Sequence, residues 1–170
     1  MMPGELLAPG SFATIRVVRG RMSHYIEFEF LEDRLFFETL FREVGPLDSW
    51  AHLFDFTHQD QKRAVFNKLR NQAFSKLMDR PEPICHLAYP EICTVIPEAI
   101  DHIIPLSSNI LNKRRGAEAK PGKKVKTQSI GSNHPHNFAL ACARCNNHKK
   151  HRFLEPEHLA RVIFISEKNQ

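Results

Sequence analysis

The sequence predicts an α+β fold, a compact strand-and-helix core stapled by metal and preceded by a small α/β N-terminal region. Three observations predict it. Runs rich in β-branched and aromatic residues alternate with stretches of helical periodicity. Prolines punctuate the middle of the chain and keep its strands short. Four cysteines, Cys85, Cys93, Cys142 and Cys145, bracket the segment "IDHIIPLSSN", where Asp101 and His102 stand side by side between apolar runs.

The 170 residues suit one domain, or one small domain with an appendage. A hydrophobic share of 42% is ordinary for a globular protein and does not suggest wholesale disorder. Between residues 12 and 31, "FATIRVV" and "HYIEFEF" read as two strands around Gly20. "LEDRLFFETLFREVG" reads as a short helix with Leu35, Phe36, Leu40 and Phe41 on one side and Gly45 as its stop. "THQDQKRAVFNKLRNQAFSKLMDR" is the clearest helix. Thr57 can cap it, with Asp60 three residues on. Val65, Phe66, Leu69, Phe74, Leu77 and Met78 supply an apolar face, and Pro81 and Pro83 end it. "NFALACARCNNHKKHR" then gives a strand-like run, a cysteine knuckle and a basic stretch of helical character. Pro156 suits the first turn of a last helix, "PEHLARVIFI". The chain divides accordingly: residues 1–80 as an N-terminal α/β region, 81–155 as the site-bearing domain and 156–170 as a C-terminal helix. There is no internal repeat.

The formal net charge is +5 and the pI about 9.2, which points to a polyanionic partner. The charge is concentrated. Over 112–126, Lys113, Arg114, Arg115, Lys120, Lys123, Lys124 and Lys126 oppose only Glu118, a local +6. Such a loop contacts phosphates and carries no base-reading signature. A solvated, idle charge run is the plain alternative.

No stretch is apolar and long enough to span a membrane. The opening "MMPGELLAPG" has no basic n-region and no sustained apolar core, so export is not expected and a cytoplasmic location is. In that setting a cysteine set points to metal rather than to disulfides. Cys142 and Cys145 form Cys-x-x-Cys, whose tight turn presents two thiolates to one tetrahedral ion. Cys85 and Cys93 form a wider pair with Pro90 inside it. Four sulfurs would close a zinc shell and leave no open position, making the metal structural. His86 adjoins Cys85 and is an alternative ligand; four unrelated buried thiols is the other reading.

A zinc staple would also bring "DHIIP" near "HNFALACARCNNHKK", which offers Asn137 and Asn146. Hydrolysing a phosphodiester needs a base to deprotonate water and a hard cation to hold the phosphate. A neutral imidazole suits the first task. A carboxylate with an amide oxygen suits the second, because Mg²⁺ takes few protein oxygens and keeps its waters.

Here the chain resembles the HNH endonucleases, with their ββα-metal fold, over about residues 81 to 153. The resemblance rests on Cys85 and Cys93, then "DHIIPLS", then "GSNHPHNFALACARCNNHKKHR". The wide first cysteine pair looks most like phage and prophage members; phage-packaging, defence and mobile-element roles are all open. The resemblance implies His102 as general base, Asp101 as a ligand of the catalytic Mg²⁺ or Mn²⁺, and Asn137 as the residue that positions the base. Asn146 stands where a final metal-binding histidine usually stands, with His148 as its rival. His134, His136 and His151 also crowd the region. Lys149, Lys150 and Arg152 match basic residues that face nucleic acid. The implied function is a metal-dependent DNA endonuclease or nickase, and protein partners that direct the cut belong to the same expectation. A zinc-stapled nucleic-acid-binding module that does not cut, and a protein-binding zinc domain, are the alternatives.

Overall fold

The computed structural model describes residues 28–44, 47–110 and 127–168. Among these the chain is mixed α/β, with four α-helices and two small antiparallel sheets. Helix α1 spans Leu31–Val44 and α2 spans Gln59–Met78, with a 3-10 turn over Leu47–Leu53 between them. Strand β1 is Ala99–His102, β2 is Ser107–Ser108 and β3 is Gln128–Ser129. A second 3-10 turn, Pro135–Asn137, leads into β4, Phe138–Ala141, and then α3, Ala143–Lys149, and α4, Pro156–Lys168.

The sheet that carries the site pairs β1 with β4. Ala99 faces Ala141, Ile100 faces Leu140, Asp101 faces Ala139 and His102 faces Phe138. The register puts Asp101 and His102 at the end of β1, beside the start of β4. All four β4 residues are buried, as expected of a strand covered on both faces. On one face α2 supplies Phe66, Ala73, Phe74, Leu77 and Met78 against Ile100, Phe138 and Leu140. The larger core gathers α1, the first 3-10 turn and α4 around Phe37, whose ring contacts Phe28, Phe36, Phe41, Phe54 and Phe153. Such aromatic pairs add about 0.5–1.5 kcal/mol each beyond their burial.

The strands expected before residue 28 lie outside the described residues. Phe28 to Phe30 are irregular, not strand. Helix α1 forms where expected, but its apolar face is Phe37, Leu40 and Phe41; Leu35 is 51% exposed. The N-cap of α2 is His58, not Thr57: the His58 ring accepts from the Asp60 amide at 3.4 Å, and the Thr57 amide instead turns back to Asp55. Helix α2 also buries less than its periodicity suggests, since Val65 and Leu69 remain exposed. It is long enough to overhang the short sheet it covers.

One buried α2 side chain is a lysine. The Lys62 ammonium donates to the Asp55 carbonyl and to the Gly131 carbonyl, the latter at 2.7 Å. Burial lowers its pKa to about 8, with Asp55 opposing the shift. Lys62 therefore ties α2 to the loop that precedes the second 3-10 turn. That loop passes very close to the end of β1. A Cβ on Gly131 would lie 2.1 Å from the Ile104 carbonyl oxygen and 2.6 Å from that of Pro105. Both obstacles are backbone, so neither can swing aside.

Gly131→Ala should accordingly destabilise the fold by at least the ~1–3 kcal/mol typical of overpacking. Chemical denaturation of the variant beside the parent checks this, and equal midpoints would show that the two loops separate easily.

Candidate functional site

The four cysteines converge. Their Sγ atoms all lie within 4.8 Å of one another, and none is in a disulfide. A tetrahedral ion with Zn–S bonds of about 2.3 Å sets sulfurs roughly 3.8 Å apart, so the cluster can hold a metal ion such as zinc with little adjustment. Local geometry explains the convergence. Cys142 is the N-cap of α3, and its Sγ accepts from the Cys145 amide at 3.4 Å. Cys-x-x-Cys thus spans the first turn of a helix, with both sulfurs on one side. The Cys142 amide in turn donates to Cys85 Sγ at 3.2 Å, and the Val95 amide donates to Cys93 Sγ at 3.3 Å.

The loop that delivers the first pair is strained. Ala88, Glu91 and Val95 have φ of 37°, 61° and 68°, and for a β-branched valine that conformation is costly. Burial pushes the Cys85 and Cys145 thiols up, while in Cys142 contacts from Thr94 and Cys145 overcome burial and bring it down to about 6. His86 is not among the clustered residues. It is buried, its amide donates to the Leu140 carbonyl at 2.8 Å, and its ring accepts from the Leu140 amide. It ties the loop that carries Cys85 to β4.

On the far side of β1, His102 is 5% exposed and held between the rings of Phe66 and Phe138. Its Nε2 lies 3.0 Å from Asn133 Oδ1. The Asn133 amide nitrogen donates to the Lys62 carbonyl at 2.8 Å, so the Asn133 oxygen must be the atom facing the ring. His102 Nε2 therefore carries the proton, and Nδ1 keeps its lone pair. Burial lowers the His102 pKa to about 4; Asn133 and Asp101 oppose the shift, and Lys149 and Lys62 add to it. The imidazole is neutral at neutral pH.

Asn137 was expected to orient this ring. The side chain that touches the ring is Asn133. Asn137 is fully buried and works on backbone: its Oδ1 accepts from the Ile104 amide at 2.8 Å, and its Nδ2 donates to the carbonyls of Ile104 and Ser132 at 2.9 and 2.8 Å. It fixes the loop just after His102. An asparagine four residues upstream carried no mark in the sequence, because its partner, the Lys62 carbonyl, is remote in the chain.

Lys149 requires a correction. It was expected to face nucleic acid, but it is 1% exposed. Its ammonium donates to the His102 carbonyl at 2.6 Å and sits 2.9 Å from Asp101 Oδ2. Asp101 Oδ2 is buried, and it has this charge contact without an aligned hydrogen bond. A buried ammonium needs a nearby carboxylate, and the end of β1 provides one. Asn146 lies three residues before Lys149 on α3, so both lie toward one face of the helix. His148 is exposed, with its ring against Tyr89 at 4.6 Å. Lys150 and His151 are exposed, and Arg152 donates to the His148 carbonyl at the end of α3. The basic residues Lys113, Arg114, Arg115, Lys120, Lys123, Lys124 and Lys126 lie outside the described residues.

The class of protein these features define is a mixed α/β chain with a four-cysteine cluster able to bind metal at one end of its β1–β4 sheet and a neutral buried histidine at the other. Comparison with protein-family models, with curated proteins and with solved structures finds no match in any of the three. No helix among the described residues is long and apolar enough to cross a membrane.

Loss of a single thiol should cost fold stability, because metal binding and folding are coupled. Cys145→Ser, or a strong chelator added to the parent, is expected to lower the unfolding midpoint in thermal melts. A midpoint that does not move would separate these thiols from any structural metal.

The His102 ring adds a pH dependence. In the unfolded chain it titrates near 6.5 and in the folded protein near 4, so the unfolded chain binds more protons between those values. Its contribution to stability is complete above about 6.5 and is lost as pH falls toward about 4. His102→Gln removes the titration. Its stability should fall less steeply than the parent's across that window, by up to one proton in slope, in denaturant titrations at matched metal content.

Proposed function

We propose that the chain is a metal-dependent HNH endonuclease or nickase that hydrolyses DNA phosphodiester bonds, and that residues 81–155 form its ββα-metal domain. The observation that carries the reading is His102: a buried, neutral imidazole whose Nε2 proton is committed to Asn133 and whose Nδ1 keeps its lone pair, one residue from a carboxylate. The order β1, β4, α3, with four clustered cysteines at the far end of the sheet, supports the domain assignment. The sequence charge of +5 supports a polyanionic substrate.

In this reading His102 Nδ1 takes a proton from the attacking water, which adds to phosphorus as the bond to the leaving oxygen breaks. Asn133 and Asp101 both favour the imidazolium that results. Asn133 holds the ring by way of Lys62 and α2, and Asn137 holds the backbone beside it. Two donors suit a hard cation: the Asp101 carboxylate, whose Oδ2 also meets the Lys149 ammonium at 2.9 Å, and Asn146, which offers an amide oxygen from α3. Mg²⁺ or Mn²⁺ held there would offset phosphate charge and stabilise the leaving oxygen. The cysteine cluster would take Zn²⁺ in a purely structural role.

A second reading has its own observation. The Lys149 ammonium already neutralises Asp101, as it would in a zinc-stapled nucleic-acid-binding module that does not cut. Supercoiled plasmid incubated with the protein and Mg²⁺ or Mn²⁺ separates the two. Nicked or linear product is expected, and His102→Ala should slow its formation by on the order of a hundred- to ten-thousandfold while DNA binding persists. Asn146→Ala should raise the cation concentration needed by about ten- to a hundredfold, and His148→Ala should not. Binding without product at any cation concentration would favour the module.

A further inference from the structure

A second set of metal-ligating side chains lies outside the site just described. His52 belongs to the first 3-10 turn, and His134 and His136 cap and occupy the second. One ring nitrogen from each can be chosen so that all three lie within 4.8 Å of one another. The ring centroids are 4.7 Å apart for His52 and His134, 5.1 Å for His52 and His136, and 4.8 Å for His134 and His136. His52 Nε2 and His136 Nδ1 face each other at 3.3 Å. A tetrahedral ion with Zn–N bonds of about 2.0–2.1 Å sets two nitrogens roughly 3.3–3.4 Å apart, so this pair is already at ligand spacing.

We propose that His52, His134 and His136 form a metal site for a borderline-soft divalent ion such as Zn²⁺, with three imidazole ligands and a fourth position open to water. Imidazole nitrogens suit zinc, copper and nickel, and disfavour magnesium. The His52 ring bonds the Ser49 backbone, and because Nε2 faces His136, Nδ1 is the nitrogen engaged. That arrangement orients a metal-binding histidine and leaves the other nitrogen with its lone pair. His134 is exposed and the other two are half-exposed, so an ion can enter without unfolding and can keep a water. Two contacts would give way: the 3.3 Å hydrogen bond between His52 Nε2 and His136 Nδ1, which the ion replaces, and the 3.2 Å bond from the His136 amide to His134 Nδ1. Both are long, so their loss is small beside a metal–nitrogen bond.

The placement gives the site a consequence. His134 follows Asn133, the residue on the His102 ring, and His136 precedes Asn137. Ser132, in the same loop, already donates its hydroxyl to the His52 carbonyl at 2.6 Å. An ion on the triad would cross-link the first 3-10 turn to the loop that holds His102. The site stands whether or not the chain cleaves DNA.

The test uses the untagged full chain dialysed against micromolar Zn²⁺, with metal counted per chain. Two equivalents are expected for the parent. His134→Gln, a change at an exposed ring, should weaken one equivalent by about ten- to a hundredfold, as should His52→Ala. Cys145→Ser should remove the other equivalent and leave the histidine-dependent one. A parent with a single equivalent that survives His134→Gln overturns the proposal, and so do two equivalents indifferent to both histidine changes. A single equivalent lost in His134→Gln sustains the triad and instead defeats the cysteine reading.

Discussion

The arrangement depends on four thiols brought within 4.8 Å of one another. Two come from a loop whose backbone is strained at Ala88, Glu91 and Val95, and two from the first turn of α3. Both segments also pack into the main core, through Leu87 from the loop and through Cys142 and Cys145 from the helix turn. A strained loop persists only where its surroundings over-determine it, and here the surroundings are sulfur–amide contacts and the edge of β4. Cys85 meets the Cys142 amide just beyond β4, β1 pairs with β4, and Lys149 of α3 reaches the acid–histidine pair at the end of β1.

A second layer of constraint is polar and buried. Lys62, Asn137 and Lys149 are each almost inaccessible, and each bonds backbone remote in sequence. Buried polar groups are tolerable only when satisfied, so these side chains specify one arrangement where apolar contacts would permit several. Together they frame His102 from three directions: α2 through Asn133, the loop through Asn137, and α3 through Lys149. The aromatic walls of Phe66 and Phe138 bury most of the ring, and that burial keeps it neutral.

Much of the candidate site was legible in residue types and spacing. The four cysteines, the adjacent Asp101 and His102, and the helix after Cys142 all follow from local chemistry: metal ligands, a titratable pair and a capping turn. Helices α1, α2 and α4 were legible too, from periodicity and from Pro156. Leu35, Val65 and Leu69 were misplaced because helical spacing says which residues share a face, not how much of that face another element covers.

Tertiary structure alone decided the polar partners. Asn133 rather than Asn137 touches the His102 ring, because the Lys62 carbonyl, 71 residues away, fixes which way the Asn133 amide points. Lys149 turns inward because the end of β1 offers Asp101 and a carbonyl; from sequence it was one more basic residue in a basic stretch. His52 joins His134 and His136 across more than eighty positions. The sequence by itself determined which chemistries were present, because those belong to side chains. Which nitrogen carries the proton, which charge is buried and which histidines meet depend on long-range hydrogen bonds and packing, and those exist only once the chain has folded.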